Sequence, residues 1–198
     1  MCPAQVSGVG TFAFAVFFNW TISGRAILPI ATASGIIIMR SLEGEVRPVA
    51  WPRLLPPLII GAALSFSVSL ADYSLAQAAR SGASTIIKRY SGEGRTLWFQ
   101  GHWGFQYYME EGGAKPIDFR RSFIAPGEFV ATPLNATNRR VMPPEFTEHV
   151  EELRAPTLSW ASTMSMDSGA GFYASEWGPV PYRFGSIKDE IFVITRAK

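Results

Sequence analysis

Three uncharged, strongly apolar runs lead the chain, at residues 5–22, 26–39 and 54–71. None shows the polar face that a helix packed on a soluble core carries. A helix of about 18 residues covers roughly 27 Å, close to the hydrocarbon thickness of a bilayer. The middle run reaches that length when it starts near residue 22. The pattern therefore predicts about three membrane spans, at 5–22, 22–39 and 54–71. Pro29, Gly35, Pro56 and Pro57 interrupt these runs, and membrane helices tolerate such residues. The alternatives are buried core helices or a signal peptide, but a signal peptide accounts for one run, not three.

From Asp72 the pattern changes to short periodic elements. Asp72 is suited to cap a helix reaching about Tyr90, with Leu75, Ala79, Ile86 and Tyr90 near one face and Gly82 as a weak spot. Thr96 to Gln100 reads as a strand. A glycine turn follows, then an aromatic helix from about Trp103 to Glu111. Pro116 to Phe119 is a short extended piece, and Phe129 to Thr132 a second buried strand. Pro143 and Pro144 open a predicted helix running to about Leu153, with Phe146, Val150 and Leu153 inward. Residues 155–186 are rich in Gly, Pro, Ser and aromatics and show little periodicity. Glu190 to Arg196 is the last strand. Strands alternating with helices indicate a small α/β layer fold. The expected fold class is thus a membrane α-helical part of about three spans, residues 1–71, followed by a small α/β extracytoplasmic domain, residues 72–198.

Charge sharpens this division. Residues 1–71 hold six charged side chains, Arg25, Arg40, Glu43, Glu45, Arg47 and Arg53, whereas residues 72–198 hold 14 basic and 14 acidic ones. The neutral second part has no polyanion-binding character, which sets nucleic acid aside. Three arginines in residues 40–53 place that loop on the cytoplasmic side and residues 72–198 outside. Two His and one Cys build no metal cluster at usual spacings, and nothing in the sequence calls for a cofactor.

Candidate chemistry centres on the turn Gly101-His102-Trp103-Gly104. Backbone amides at a helix start hold anions, and Trp and Tyr faces stack on sugars. Two readings stand: a ligand-binding turn with His102, Trp103 and Tyr107, or a glycine turn whose aromatics fill a small core. The missing third glycine excludes a dinucleotide fingerprint. Asn138 follows the second strand and is placed to face the same crevice, or to form a plain turn. Arg25 is either an interfacial arginine or a phosphate ligand at the membrane surface. Asp167 and Glu176, the acids of the aromatic loop at 168–185, lack partners at a recognisable spacing.

The run Trp98-Phe-Gln-Gly-His-Trp-Gly-Phe-Gln-Tyr-Tyr-Met-Glu110 occurs together with Gly169-Ala-Gly-Phe-Tyr173 and Trp177-Gly-Pro-Val-Pro-Tyr182. These resemble the C-terminal periplasmic part of bacterial family 39-type glycosyltransferases, relatives of the protein O-mannosyltransferases and lipid-A sugar transferases. Asn19-Trp-Thr-Ile-Ser-Gly-Arg-Ala-Ile-Leu-Pro29 is similar to a span of that family in which an Arg precedes a Leu-Pro pair. The resemblance implies sugar transfer from a polyprenyl-phosphate donor to a lipid, glycan or protein acceptor at the bacterial inner membrane. It places Arg25 near the donor phosphate and the second part of the chain, periplasmic, over the active site. It supplies no catalytic residue, because the family's catalytic acid has no counterpart here. The chain is therefore expected to be a C-terminal fragment, inactive alone. The alternatives are a membrane-anchored, non-catalytic binding or assembly module, and a soluble nucleotide-binding α/β protein whose apolar start is core.

Overall fold

A helix of 40 residues, Trp51–Tyr90, dominates the molecule. The structure, a computed structural model, describes residues 9–11, 13, 24–43, 51–92, 94–137 and 139–198. Helix α1 is Gly24–Glu43 and α2 is Trp51–Tyr90. Forty residues of α-helix reach about 60 Å. Asp72 does not cap a separate helix, because α2 runs straight through it. The residues on either side of Asp72 are Leu, Ala, Ser, Tyr and Gln, none of which breaks a helix, so the change from apolar to amphipathic pattern needs no new start.

The membrane expectation is corrected here. Among the described residues one helical segment, Leu54–Tyr90, is long and apolar enough to cross a bilayer, not about three. The apolar part of α1 is only Ile30–Ser41, about 18 Å of helix. Arg40 cuts it off on one side. The run at 5–22 lies almost wholly outside the described residues.

The chain divides into two units, Met1–Leu70 with Ala161–Arg183, and Ala71–Trp160 with Phe184–Lys198. The second unit holds strand β1 (Leu97–Phe99), helix α3 (Trp103–Glu111), and strands β2 (Lys115–Pro116), β3 (Phe129–Pro133) and β4 (Thr147–Ala155). Four short or late strands follow in the chain: β5 (Ala161–Ser162), β6 (Met164–Ser165), β7 (Ala170–Gly171) and β8 (Arg183–Phe184). The last strand is β9 (Glu190–Ala197).

Five strands form one mixed sheet in the order β2-β1-β3-β9-β4. β1 is parallel to both β2 and β3, and β9 is antiparallel to β3 and β4. The cross-strand partners Phe99, Ala131 and Ile194 share one face, and Phe192 stands two residues further along it. Ala78, Ala83 and Ile86 from α2, and Phe105 and Met109 from α3, close over that face to form the core. Phe105 stacks on Phe192 at 5.0 Å and meets Phe99 edge-on at 6.1 Å.

Two glycines set how closely these layers approach. A Cβ on Gly82 would lie 2.3 Å from the Phe192 ring, and one on Gly112 would lie 2.2 Å from Ile87 Cδ1. Gly82 is therefore the socket that lets α2 lie against the sheet, rather than a weak spot. It trades helix propensity, about 1 kcal/mol relative to Ala, for the burial of Phe192.

The predicted helix at 143–153 is instead strand β4. Eight of its residues pair with β9, with an irregularity between His149 and Glu151. Phe146 and Val150, expected inward, are exposed. Thr147, His149 and Val150 are poor helix formers, and the apolar strand Phe192-Val-Ile194 requires a neighbour on that side; pairing prevailed over a short 3.6-residue pattern. In the first unit, β6 and β7 pair through Met164↔Gly171 and Ser165↔Ala170. There the glycines of the aromatic loop have a steric role: a Cβ on Gly171 would lie 2.3 Å from the carbonyl oxygen of Gly178.

Candidate functional site

β1, β2 and β3 run the same way, so their carboxyl ends lie along one edge of the sheet. From the end of β1 the chain passes through α3 to β2 on one side. From the end of β3 it leaves towards β4 and β9 on the other. The loops that leave β1 and β3 diverge from this edge.

Gln100 builds the floor of this edge. It is buried. Its Nε2 donates to Thr132 Oγ1 at 3.3 Å and to the Arg140 carbonyl at 3.0 Å, and its Oε1 accepts from the Arg140 amide at 2.7 Å. A buried amide with both ends satisfied fixes the loop after β3 against β1. Arg140 then lays its guanidinium over the Phe119 ring, 4.7 Å from the centroid, which ties in the loop after β2.

The turn into α3 is strained on purpose of position. Gly101 has φ +112°, and a Cβ there would meet Pro133 Cγ at 2.8 Å, so only glycine fits. Gly104 lies inside α3 with open space where a Cβ would stand, so it is not needed for the turn. Trp103 has φ +56°, an unfavourable backbone for a side chain of its size, costing about 1 kcal/mol. Its indole is 49% exposed.

The structure brings His102, Trp103 and Tyr107 to one place. His102 is the N-cap residue of α3 and is exposed. Tyr107 follows Trp103 by one helical turn on the same face, is 61% exposed, and meets Tyr108 edge-on at 5.2 Å. The aromatic stretch thus splits by face. Phe99, Phe105 and Met109 form the folding centre, while Trp103 and Tyr107 present their rings to solvent. Asn138 lies outside the described residues. Arg25 sits in the first turn of α1, and its side chain lies outside what the structure describes.

One acid at this edge had no signal in the sequence. Glu190 opens β9 and is half-buried. Asn135 Nδ2 donates to Glu190 Oε2 at 3.3 Å. Burial pushes the carboxyl up to about 7, and the hydrogen bonds from Asn135 only partly oppose this. An acid at the start of a strand reads as a solvated end, and only its packing changes that.

The opposite edge is built for stability. The Tyr90 hydroxyl donates to Glu151 Oε1, and Arg89 Nη1 reaches the two Glu151 oxygens at 3.0 and 3.2 Å. Burial first, and then Glu151, push the Tyr90 phenol up to about 12. The bond from Tyr90, followed by Arg89, holds the Glu151 carboxyl below its usual range against a desolvation that raises it. Glu128 accepts from Trp98 Nε1 at 2.7 Å and from the amides of Ala125 at 2.8 Å and Thr96 at 3.3 Å. Burial is the largest single influence on Glu128 and raises it, yet the bonds together hold it low.

Chemically, the carboxyl edge offers two aromatic faces, an imidazole and a carboxyl that exchanges its proton near neutrality. That set suits stacking on a polyol and hydrogen bonding to its hydroxyls. Among the described residues no group of His, Cys, Asp and Glu could hold a metal ion. No protein-family model, curated protein or solved structure matches this chain.

Proposed function

We propose that this chain is a membrane-anchored binding module, held by the apolar half of α2 and acting through the carboxyl edge of its α/β sheet. One observation carries the reading. Leu55, Leu58, Ile59, Ile60 and Phe66 are all exposed, and almost none of the apolar segment is covered, yet the same helix continues into a core where Ala78, Ala83 and Ile86 are buried. A core helix of a soluble protein would have its apolar face covered, and a cleaved signal would not continue as the framework of the folded unit.

The membrane in this reading is the bacterial inner membrane, with the α/β unit on the periplasmic side. Within about 15 residues of the 54–71 run, Arg40, Arg47 and Arg53 precede it and only Arg80 follows. The bias keeps the preceding loop cytoplasmic.

A second reading deepens the first. The module serves a glycosyltransferase that takes a sugar from a polyprenyl-phosphate donor, and its edge contacts the sugar or the acceptor lipid, glycan or protein. The sequence resemblance supports it, and so do the exposed rings of Trp103 and Tyr107.

Two measurements test these readings. The full chain expressed in a bacterial host should stay in the membrane pellet through an alkaline wash; release to the supernatant rejects the anchor. In detergent, indole fluorescence should saturate on titration with an undecaprenyl-phosphate-linked sugar, and Trp103→Ala should abolish the change. A flat titration of the unsubstituted chain rejects the sugar-binding reading and leaves the anchor intact.

A further inference from the structure

The five-stranded sheet has two edges. At one, β2 is two residues long and ends on Pro116, which has no amide hydrogen to offer. A short edge with a proline is closed to further pairing. At the other, β4 is nine residues long and, among the described residues, has a strand on its β9 side only. Every second residue of such a strand turns its N–H and C=O away from the sheet, as a template for another strand.

The two ends of β4 differ as templates. The irregularity between His149 and Glu151 breaks the first part, and a bulge twists an edge away from a flat partner. Glu148 there is already engaged by Arg196 of β9. Over residues 151–155 the register with β9 is regular. Within this stretch Leu153 packs against the core cluster. Glu151 lies on the same face, bonded to Arg89 and Tyr90 of α2. Glu152 and Arg154 alternate onto the other face. Both are exposed, and neither pairs with another described residue.

Charges on an edge strand ordinarily keep a second strand away. An acid and a base two residues apart do the reverse when the incoming strand is the same sequence run antiparallel. With a two-fold axis at Leu153, that residue stands opposite Leu153 of the second copy. Glu152 then stands opposite Arg154 of the second copy, and Arg154 opposite its Glu152. Glu151, already neutralised by Arg89, meets the small Ala155. The leucines extend the core face while the ion pairs close the other. A shift of two residues either way, which keeps the faces matched, sets Glu152 against Glu152 or Arg154 against Arg154. Like charges directly opposite one another are unfavourable, so the pattern selects one register. A peptide carrying a single sign of charge satisfies only one of the two side chains.

We propose that two copies of this chain join through β4, antiparallel about Leu153, so that their five-stranded sheets become one continuous sheet. The interface is isologous, and the axis repeats the Glu152–Arg154 pair. It uses none of His102, Trp103 and Tyr107 and does not depend on what they bind.

The test measures the mass of the full chain in detergent, by sedimentation with the detergent contribution matched out. The unsubstituted chain should be a dimer at micromolar concentration. Arg154→Glu and Glu152→Arg each set like charges opposite one another twice, and each should raise the dissociation constant roughly tenfold. Mixing these two chains restores both opposite-charge pairs, so the mixture should dimerise as the unsubstituted chain does. Recovery on mixing also shows that both variants are folded. A second measurement leaves the charges in place. A chain carrying Cys2→Ser and Leu153→Cys should give a disulfide-linked dimer on mild oxidation, since directly opposite Cβ atoms lie about 4.5–5.5 Å apart. Cys2→Ser with His149→Cys, before the irregularity, should not. A monomeric unsubstituted chain overturns the proposal. So does a dimer that both charge reversals leave intact, or one that does not cross-link through position 153. Where the mixture fails to recover, the cross-link decides.

Discussion

The two halves of α2 make the sharpest contrast in this protein. Both are α-helix, and both carry Ile, Ala and Ser, although the first half holds five leucines and the second one. The half before Ala71 exposes Leu58, Ile60 and Phe66 on different sides. The half after it buries a stripe of the small residues Ala71, Ala78, Gly82 and Ala83 together with Ile86, and turns Arg80, Lys88 and Arg89 outward. Apolar content alone therefore does not decide what a helix packs against. A narrow stripe of small residues beside charges selects a protein layer, because close approach gains dispersion contacts. A helix apolar all round has no face left for water and selects lipid.

The strongest way to break this comparison is to exchange the requirements of the two halves. Gly82→Leu forces its side chain into the Phe192 ring and should cost more than about 3 kcal/mol, enough to unfold the α/β unit. Gly61→Leu, where a Cβ meets nothing within 4 Å, should leave denaturant midpoints in detergent unchanged. Equal effects of the two would mean that the halves are not differently packed. Next in size, Leu58→Lys with Ile60→Lys should shift the chain out of the membrane fraction, at about 2.5–3.5 kcal/mol for each charge at the centre of a span. Ala76→Lys, on an exposed position of the packed half, should not.

Smaller effects sharpen the picture of the packed half and its edge. Gln100→Ala removes the anchor of the Arg140 loop and leaves buried backbone groups unpaired; a loss of about 1–3 kcal/mol is expected by chemical denaturation. Glu190 provides a pH signature. Its folded pKa of about 7 lies above the ordinary value of 4.5, so the native state binds the extra proton between those values. Its contribution is fully present below about 4.5 and is lost as pH rises through 7. Glu190→Gln should flatten the fall in stability across that window, by about 1–2 kcal/mol at its upper end. Glu151 has the opposite sign: its depressed carboxyl stabilises above the ordinary value and is lost as pH falls. Tyr90→Phe, which removes the bond to Glu151, should reduce stability by about 1 kcal/mol and flatten the alkaline fall in stability, because the raised phenol keeps its proton in the native state up to about 12. A melting series over pH checks all three.

Much of the α/β unit was legible because its elements are locally consistent. The helix Trp103–Glu111 agrees with its residue pattern, and strands β1, β3 and β9 lie within a residue of the expected bounds at most ends. Strand β4 was not legible, since Phe146, Val150 and Leu153 fit a helix while the chain pairs with β9 over the same residues. At the candidate site, His102, Trp103 and Tyr107 could be named from a glycine turn followed by aromatics. Gln100 and Glu190 could not. An amide inside an apolar strand and an acid at a strand's start acquire their roles only from Arg140 and Asn135, 40 and 55 residues away in the chain.

By itself the sequence determined where apolar chain gives way to a charged, periodic domain, and that residues 96–111 hold a strand, a turn and a helix. The reason is that hydropathy and local backbone preference act over a few residues. Only the tertiary structure decided that the apolar run and the domain share one continuous helix, that Gly82 is a socket for Phe192, and that three loops meet at one sheet edge. Those features depend on which strands pair and how closely layers approach, and both are settled by contacts between residues far apart in the chain.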